Sequence, residues 1–443
     1  MSLPPIRPAD GSAPGAPAEP GVPRRDPQHY HRLGTLNLPS PPPLGVYVHL
    51  PWCLRKCPYC DFNSHEVLRP AGDTAAAGPD GHGEVPALGA ARQALPEALY
   101  LQALRADLEA SLPLIWGRTV HTVFIGGGTP SLFSPESIAQ LVSDLRLLLP
   151  LAPDAEITME ANPGTFERER FAAFAQAGIT RLSIGVQSFN DRHLAAIGRV
   201  HDRGQAIAAA EEAARSFGTF NLDLMYALPQ QTPEELEADL AQALALQPPH
   251  LSLYHLTLEP NTAFARRPPV LPDEDTAFDM LDHLIARTTG AGFERYEVSA
   301  FAKPGHRCRH NLNYWGFGDY LGIGAGAHGK LSFAHRVLRQ VRWRDPQTYL
   351  RQALDGHAVS NEHEVARKAL PFEFMLNLLR LREGFPLALF TERCGMPASA
   401  LAPGLAAAQG KGLLTVEGAS GSEWVQPTAR GFDFLSDLQE MFL

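Results

Sequence analysis

Three cysteines stand within eight residues of one another. Cys53, Cys57 and Cys60 fall in the run GVYVHLPWCLRKCPYCDFNS over residues 45–64, with the spacing C-x3-C-x2-C. That spacing lets one loop wrap an iron–sulfur cubane and bind three of its four irons. The fourth iron then has no thiolate and is open to an exogenous ligand. Structural zinc sites close with four protein ligands, and ferredoxin sites supply four cysteines at other spacings. The alternative is a zinc site completed by His49 or His65, although this is not a common zinc spacing. An inert buried trio is disfavoured by the charges of Arg55, Lys56 and Asp61 beside it. Arg55 and Lys56 are also placed to tune the potential of an anionic cluster. The chain has five cysteines, and the other two, Cys308 and Cys394, lie far away. An odd count with one tight group is not a disulfide framework, and in a reducing compartment it reads as metal or redox chemistry.

A second group of residues interrupts apolar runs. GGGTP over residues 126–130 can bring backbone close to a ligand without a Cβ clash; a plain strand-to-helix turn would use the same residues. Glu160 ends TME, Gln187 ends IGVQ, and Asp223 sits inside NLDLM. A buried polar side chain needs a partner. For each one, an internal hydrogen bond and a ligand contact are both open readings. Their shared position at strand ends favours ligand contact. Arg199 is placed to pair with a carboxylate.

The elements that must hold these residues follow from the pattern. Short apolar runs predict buried strands at Val46–Leu50, Thr122–Ile125, Glu156–Glu160, Arg181–Gly185, Asn221–Met225 and His250–His255. Amphipathic segments between and after them predict helices at Glu97–Leu112, Pro135–Leu149, Glu167–Gln176, Gln205–Ser216, Pro233–Leu246 and Glu274–Thr289. About six such alternations imply an α/β fold with a parallel sheet, curled into a full or partial barrel or wound on both faces. Either way, the functional residues belong at the C-terminal ends of the strands. The cysteines follow the first predicted strand directly.

Residues 1–44 are rich in Pro, Gly and Ala, which predicts a disordered lead-in. Residues 70–96 predict a flexible insertion. The barrel domain is expected over 45–335 and a smaller C-terminal domain over 345–443. In the latter, a helix at Pro371–Arg382, two shorter ones, a hairpin at Leu413–Glu417 and Glu423–Pro427, and a final helix from Ala429 resemble a winged helix. It lacks a basic recognition stretch, so a structural or docking role is expected. The 443 residues carry a net charge of −10, which argues against nucleic acid as the main partner. No run of about 18 apolar residues is present, and the first residues lack the apolar core of a secretory signal. The expected location is cytoplasmic.

The cysteine run resembles the signature of the radical S-adenosylmethionine (SAM) superfamily. That resemblance implies a partial (β/α)6-type barrel and a [4Fe-4S] cluster whose open iron chelates the amino and carboxylate groups of SAM. It also implies that the glycine turn receives the SAM amino group. From about Val46 to the C-terminus the chain resembles the oxygen-independent coproporphyrinogen III oxidase-like family. By motif, Tyr47, Gly127, Gly128, Thr129, Glu160, Gln187, Arg199 and Asp223 align with that family's SAM-contacting residues, and Tyr59 in the cluster loop is a further cofactor-binding candidate. The oxidase carries an extra cysteine two residues past the third cluster ligand, where this chain has Phe62. The oxidase also uses an ordered N-terminal segment, unlike the irregular one expected here.

HNLNYW over residues 310–315 resembles the H-N-x-x-Y-W signature of the HemW haem chaperones, as does PYCDFNS. This resemblance implies haem as a third cofactor. His310 would ligate its iron, with Tyr314 or Trp315 stacked on the porphyrin. Core packing is the competing reading of these residues, and Cys308 is a competing ligand. LGIGAGAHG over residues 321–329 either closes over SAM or forms a tight packing turn. The expected function is a haem chaperone, with coproporphyrinogen oxidation as the alternative. Its expected partners are haem, an acceptor protein of the respiratory, membrane-associated kind, an electron donor for the cluster, and a second copy in a homodimer.

Overall fold

A computed structural model describes residues 28–67 and 95–443. Residues 1–27 of the expected lead-in and nearly all of the 70–96 insertion lie outside the described residues.

Six strands pair in parallel and in chain order: β1 (Leu44–Leu50), β2 (Val120–Gly127), β3 (Leu151–Ala161), β4 (Arg181–Gln187), β5 (Phe220–Tyr226) and β6 (His250–His255). On one edge β7 (Ala300–Ala302) runs antiparallel to β6. On the other edge β8 (Asp319–Ile323) lies parallel to β1. Beyond it follow β9 (His328–Phe333), β10 (Arg336–Arg342) and β11 (Val359–Glu364), all antiparallel. With the short strand Glu294–Arg295 paired to β7, the result is one open twelve-stranded sheet among the described residues, a partial rather than a closed barrel.

The strands alternate with period two, as a pleated backbone requires. Leu182, Ile184 and Val186 of β4 and Phe220, Leu222 and Leu224 of β5 point into the core beneath the helices. Each such side chain contributes about 1.5–3 kcal/mol on burial. The intervening residues of the same strands face the concave side and are largely polar. Crossover helices start where the sequence supplies caps. Asp202 with Gln205, and Thr232 with Glu235, form reciprocal capping boxes for Arg203–Ser216 and Pro233–Ala245.

Two domain expectations are corrected. The sheet does not end at residue 335. Strands β10 and β11 extend it, and the helix Pro346–Leu354 packs on the helix Glu97–Ser111 through Tyr349 and Tyr100, whose rings lie 5.6 Å apart. Arg342 pairs with Asp107 there at 3.1 Å, both fully buried. The second hydrophobic core, which includes Leu370, Phe374, Leu378 and Phe390, gathers mainly from Val365 onward, with Phe317 and Val337 reaching into it. Its helices, Leu370–Leu378, Ala388–Cys394 and Ala402–Gly410, carry a hairpin of Leu414–Glu417 and Trp424–Pro427.

The lead-in is also ordered from residue 28. Tyr30, in a short helix Gln28–His31, stacks on Phe333 at 5.3 Å. The buried Arg336 guanidinium donates to the carbonyls of His29, Arg32 and Leu33 at 3.2, 2.8 and 3.2 Å. Leu36 and Leu38 are buried in the second core. Proline-rich composition suggested disorder, but an arginine from β10 satisfies backbone that has no ladder of its own.

Candidate functional site

The cysteine loop begins where β1 ends. Trp52–Cys53 pairs with His65–Glu66 and pinches the loop at its base. Within the loop, Cys60 N–H donates to Cys57 O at 3.1 Å. Lys56 Nζ donates to Phe62 O and Ser64 O at 3.2 and 3.4 Å, so this lysine ties the loop together. His49 and Asn63 hold it from behind. Tyr47 Oη meets His49 Nδ1 at 2.9 Å, and His49 Nε2 meets Asn63 O at 2.9 Å. Asn63 Nδ2 donates to Ala325 O and Arg344 O.

All three cysteines are half-buried and line one cavity of about 300 Å³. Each thiol has a polar neighbour: Thr129 Oγ1 to Cys53 Sγ at 3.5 Å, Arg199 Nη1 to Cys57 Sγ at 3.8 Å, and Ser64 Oγ to Cys60 Sγ at 3.6 Å. Burial pushes the Cys53 thiol up to about 11 and raises that of Cys60. Metal binding must therefore displace protons from these thiols. Among the described residues, no three His, Cys, Asp or Glu side chains converge tightly enough to enclose a lone metal ion. The thiols border a wider space, as a cubane held at three corners needs. The donor set fits that cluster.

The glycine turn forms the next wall. Gly128 N–H and Thr129 N–H donate to Leu50 O and Trp52 O, both at 2.8 Å, which locks the turn to the cysteine loop. Gly127 has φ +118°, a left-handed conformation that glycine adopts without strain. Its N–H donates to Glu160 Oε2 at 3.1 Å. Asp223 accepts from Ser183 Oγ at 3.0 Å and Asn221 Nδ2 at 2.8 Å. Gln187 sits at a register shift between β4 and β5 with φ +68°, and it lines the cavity. Among the described residues Arg199 makes no direct ion pair with a carboxylate, although its charge reaches Asp223. It donates to Asn162 Oδ1 and Gly185 O at 2.7 and 2.6 Å and leans on Cys57. Tyr59 also lines the cavity.

Glu160 is walled in by protein yet borders the cavity. Burial, and then the charge of Asp223, push its carboxyl up to about 8, against the Gly127 N–H that favours the anion. A carboxyl raised on folding contributes stability that is fully present below its unfolded value and is lost as pH rises through its folded one. Glu160→Gln should therefore match the ligand-free wild type near pH 4.5 and become progressively more stable than it toward pH 9. Urea midpoints across that window check this, and a constant offset would refute it.

Four expected contacts lie elsewhere. Tyr47 stands behind the cavity wall, 6.3 Å ring-to-ring from Phe124. His310 is 8% exposed, and its Nδ1 meets Thr122 Oγ1 at 3.0 Å beneath Phe124. Burial pulls its imidazole down to about 4. Tyr314 and Trp315 face away, toward Tyr320 and the Arg380 guanidinium, which lies 4.2 Å over the Trp315 ring. The motif is one helix, Arg309–Trp315, whose residues serve different neighbours. Cys308 does line the cavity, and its Sγ lies 3.6 Å from Glu156 Oε1. Residues 321–329 form a packing turn. Gly324 sits so close to β1 that a Cβ there would meet His49 O at 2.3 Å.

The sequence reading missed Arg181, Ser183, Asn221, His250, Ser252 and Tyr254, all of which line the cavity. Their signal is the period-two polarity of RLSIGVQ, NLDLM and HLSLY, of which single interruptions such as Gln187 and Asp223 show only a part.

Residues 47–243 match the family model of the radical SAM superfamily, and residues 365–434 match the HemN C-terminal domain. The heme chaperone HemW of Escherichia coli is 45% identical over 404 residues, covering 91% of this chain and 98% of that protein. The chain belongs to the HemW family. The HemW heme chaperones of Haemophilus influenzae and Mycobacterium tuberculosis are 45% and 40% identical, and the matches cover 92% and 78% of this chain and 99% and 84% of theirs. Among solved structures, coproporphyrinogen III oxidase (HemN) from Escherichia coli superposes with a TM-score of 0.73 at 24% identity, covering 91% of this chain and 90% of that one. This likeness shows that the chain shares the HemN fold. As a radical SAM protein of this family, the chain is a [4Fe-4S] and SAM binder.

Proposed function

We propose that this protein is a haem chaperone: it binds haem, carries a [4Fe-4S] cluster with SAM, and passes haem to an acceptor protein. The observation that carries the reading is the end-to-end similarity to the HemW heme chaperones. Cys53, Cys57 and Cys60 hold the cluster. The glycine turn at Gly127, Gly128 and Thr129 receives the SAM amino group, while Glu160, Gln187, Arg199 and Asp223 contact the rest of the molecule. When bound, the cluster supplies one-electron reduction of SAM.

A cavity of about 300 Å³ lies at the small end of ligand pockets. It suits a SAM-sized molecule. A haem macrocycle would sit outside it, with a side arm able to reach in. With Nδ1 donating to Thr122, the His310 Nε2 carries the lone pair that iron requires. The helix Arg309–Trp315 must shift for that nitrogen to reach haem. No helix among the described residues is long and apolar enough to cross a membrane. A cytoplasmic location, a respiratory, membrane-associated acceptor, a separate electron donor and a homodimer complete the proposal.

The alternative is a coproporphyrinogen III oxidase. Phe62, 61% exposed at the cavity rim, disfavours it. The test adds haem and coproporphyrinogen III separately to anaerobically reconstituted protein. Stable haem binding without decarboxylation is expected, and decarboxylase turnover would overturn the chaperone reading. Haem titration of His310→Ala and Cys308→Ala then identifies the ligand.

A further inference from the structure

Below the cysteine rim the cavity continues toward the N-terminal ends of the strands, and its floor differs from its mouth. Arg181, the first residue of β4, lines this floor and is 2% exposed. Its Nη1 donates to Thr219 Oγ1 at 3.2 Å and to His306 O at 2.9 Å. Its Nη2 is buried without a hydrogen-bond partner among the described residues. A guanidinium removed from water in this state is costly unless a counter-charge reaches it.

Among the described residues no carboxylate forms an ion pair with Arg181. Glu156 bears its charge close enough to act, with Arg181, on the Cys308 thiol, but its oxygens accept from other donors. It accepts from Cys308 Sγ, Arg309 N–H, His310 N–H and Thr158 Oγ1 at 3.6, 3.2, 3.1 and 3.4 Å, so it caps the helix Arg309–Trp315. His250 is occupied on both sides, by Asn221 Oδ1 at 2.6 Å and Tyr296 Oη at 2.9 Å. Burial, and then the Arg181 charge, hold its imidazole well below its ordinary range, so it adds no charge of its own. Asn311 reaches the same floor with an amide. Glu160 and Asp223 belong to the upper layers of the cavity, level with Ser183 and Gly185, one and two inward positions nearer the mouth than Arg181.

We propose that the cavity floor at Arg181 is a second ligand subsite, which takes the carboxylate end of a small organic anion. The guanidinium presents Nη2 as a charge-assisted donor, and Asn311 adds a neutral one. Two sources offer this chemistry: a propionate arm of a porphyrin, which rests on the haem reading, and a free small carboxylate, which does not.

The test uses the full chain with its cluster reconstituted. The probes are sodium propionate, sodium succinate, haem and haem dimethyl ester, against wild type, Arg181→Gln and Asn311→Asp. Asn311→Asp places a carboxylate on the floor to repel an anion. If the anion is a free carboxylate, propionate or succinate raises the melting temperature of wild type above a sodium chloride blank and does so for neither variant. If it is a haem propionate, haem binds both variants about ten-fold more weakly than wild type, and the dimethyl ester erases the difference. The proposal is overturned if a variant with wild-type circular dichroism and cluster content responds to all four probes as wild type does. Should Arg181→Gln fail to fold, Asn311→Asp decides alone. Should wild type bind no haem, the haem reading fails, and the two small carboxylates still decide the subsite.

Discussion

Cys57→Ala is expected to leave a folded protein without its cluster. After anaerobic reconstitution with iron and sulfide, the variant should hold at least about ten-fold less iron than wild type and lack the broad charge-transfer absorbance of a [4Fe-4S] centre. The reason is geometric. Cys57 sits midway along a loop that supplies only three thiolates, so each carries one corner of the cubane and none has a substitute nearby. The fold survives because the loop is anchored at its base by Trp52–Cys53 on His65–Glu66 and from behind by His49 and Asn63, none of which involves the Cys57 side chain. SAM binding should fall with the cluster. Wild-type iron in Cys57→Ala would mean that the thiols are not its ligands.

Gly128→Ala should damage the same site without touching a cysteine. A Cβ there would lie 2.6 Å from Trp52 O and 2.8 Å from the carbonyl carbons of Pro51 and Trp52. All three are backbone atoms at the root of the cysteine loop, so no side chain can swing aside. Either the Gly128 N–H to Leu50 O bond is lost or the loop moves outward. Overpacking of this kind costs about 1–3 kcal/mol, and here it displaces Cys53 relative to Thr129. The expected outcome is a lower melting temperature, reduced cluster content and SAM affinity down by about ten-fold or more. Gly218→Ala is the control, since a Cβ at Gly218 meets nothing within 4 Å. Equal behaviour of the two variants would refute the steric argument.

Much of this site could be read from the chain. The cysteine spacing, the glycine turn and the polar residues at strand ends all point to one mouth, and Cys53, Cys57, Cys60, Gly127, Gly128, Thr129, Glu160, Gln187, Arg199 and Asp223 do line one cavity. What escaped was depth. A strand such as HLSLYH looks apolar when read as a run, yet its alternate residues His250, Ser252 and Tyr254 face ligand space. Read with period two, it announces a chamber rather than a packed barrel. HNLNYW misled in the opposite sense. Contiguity in sequence suggested one porphyrin surface, but the helix carries Trp315 well around from His310 at about 100° per residue, and Tyr314, one turn on from His310, packs on Tyr320 while His310 bonds Thr122. The domain boundary escaped because Arg336, Arg339 and Arg342 make β10 look like surface, while Arg336 and Arg342 are in fact fully buried.

The strap of residues 28–38 joins the two ends of the chain. Its Leu36 and Leu38 complete a hydrophobic core otherwise built mainly from residues beyond 365, and Asn37 N–H donates to Gly395 O at 3.0 Å. On a ribosome the first of these partners emerges some hundreds of residues before the last. The strap finds its first partners only once Phe333 and Arg336 have emerged, and its hydrophobic core only once residues beyond 365 follow; contacts of such long sequence separation form late. The sheet that carries the cluster loop can therefore assemble while the C-terminal core is still open. Docking of the chain's beginning onto its end is the closing step of folding, and a nascent chain stalled before residue 395 could not complete it.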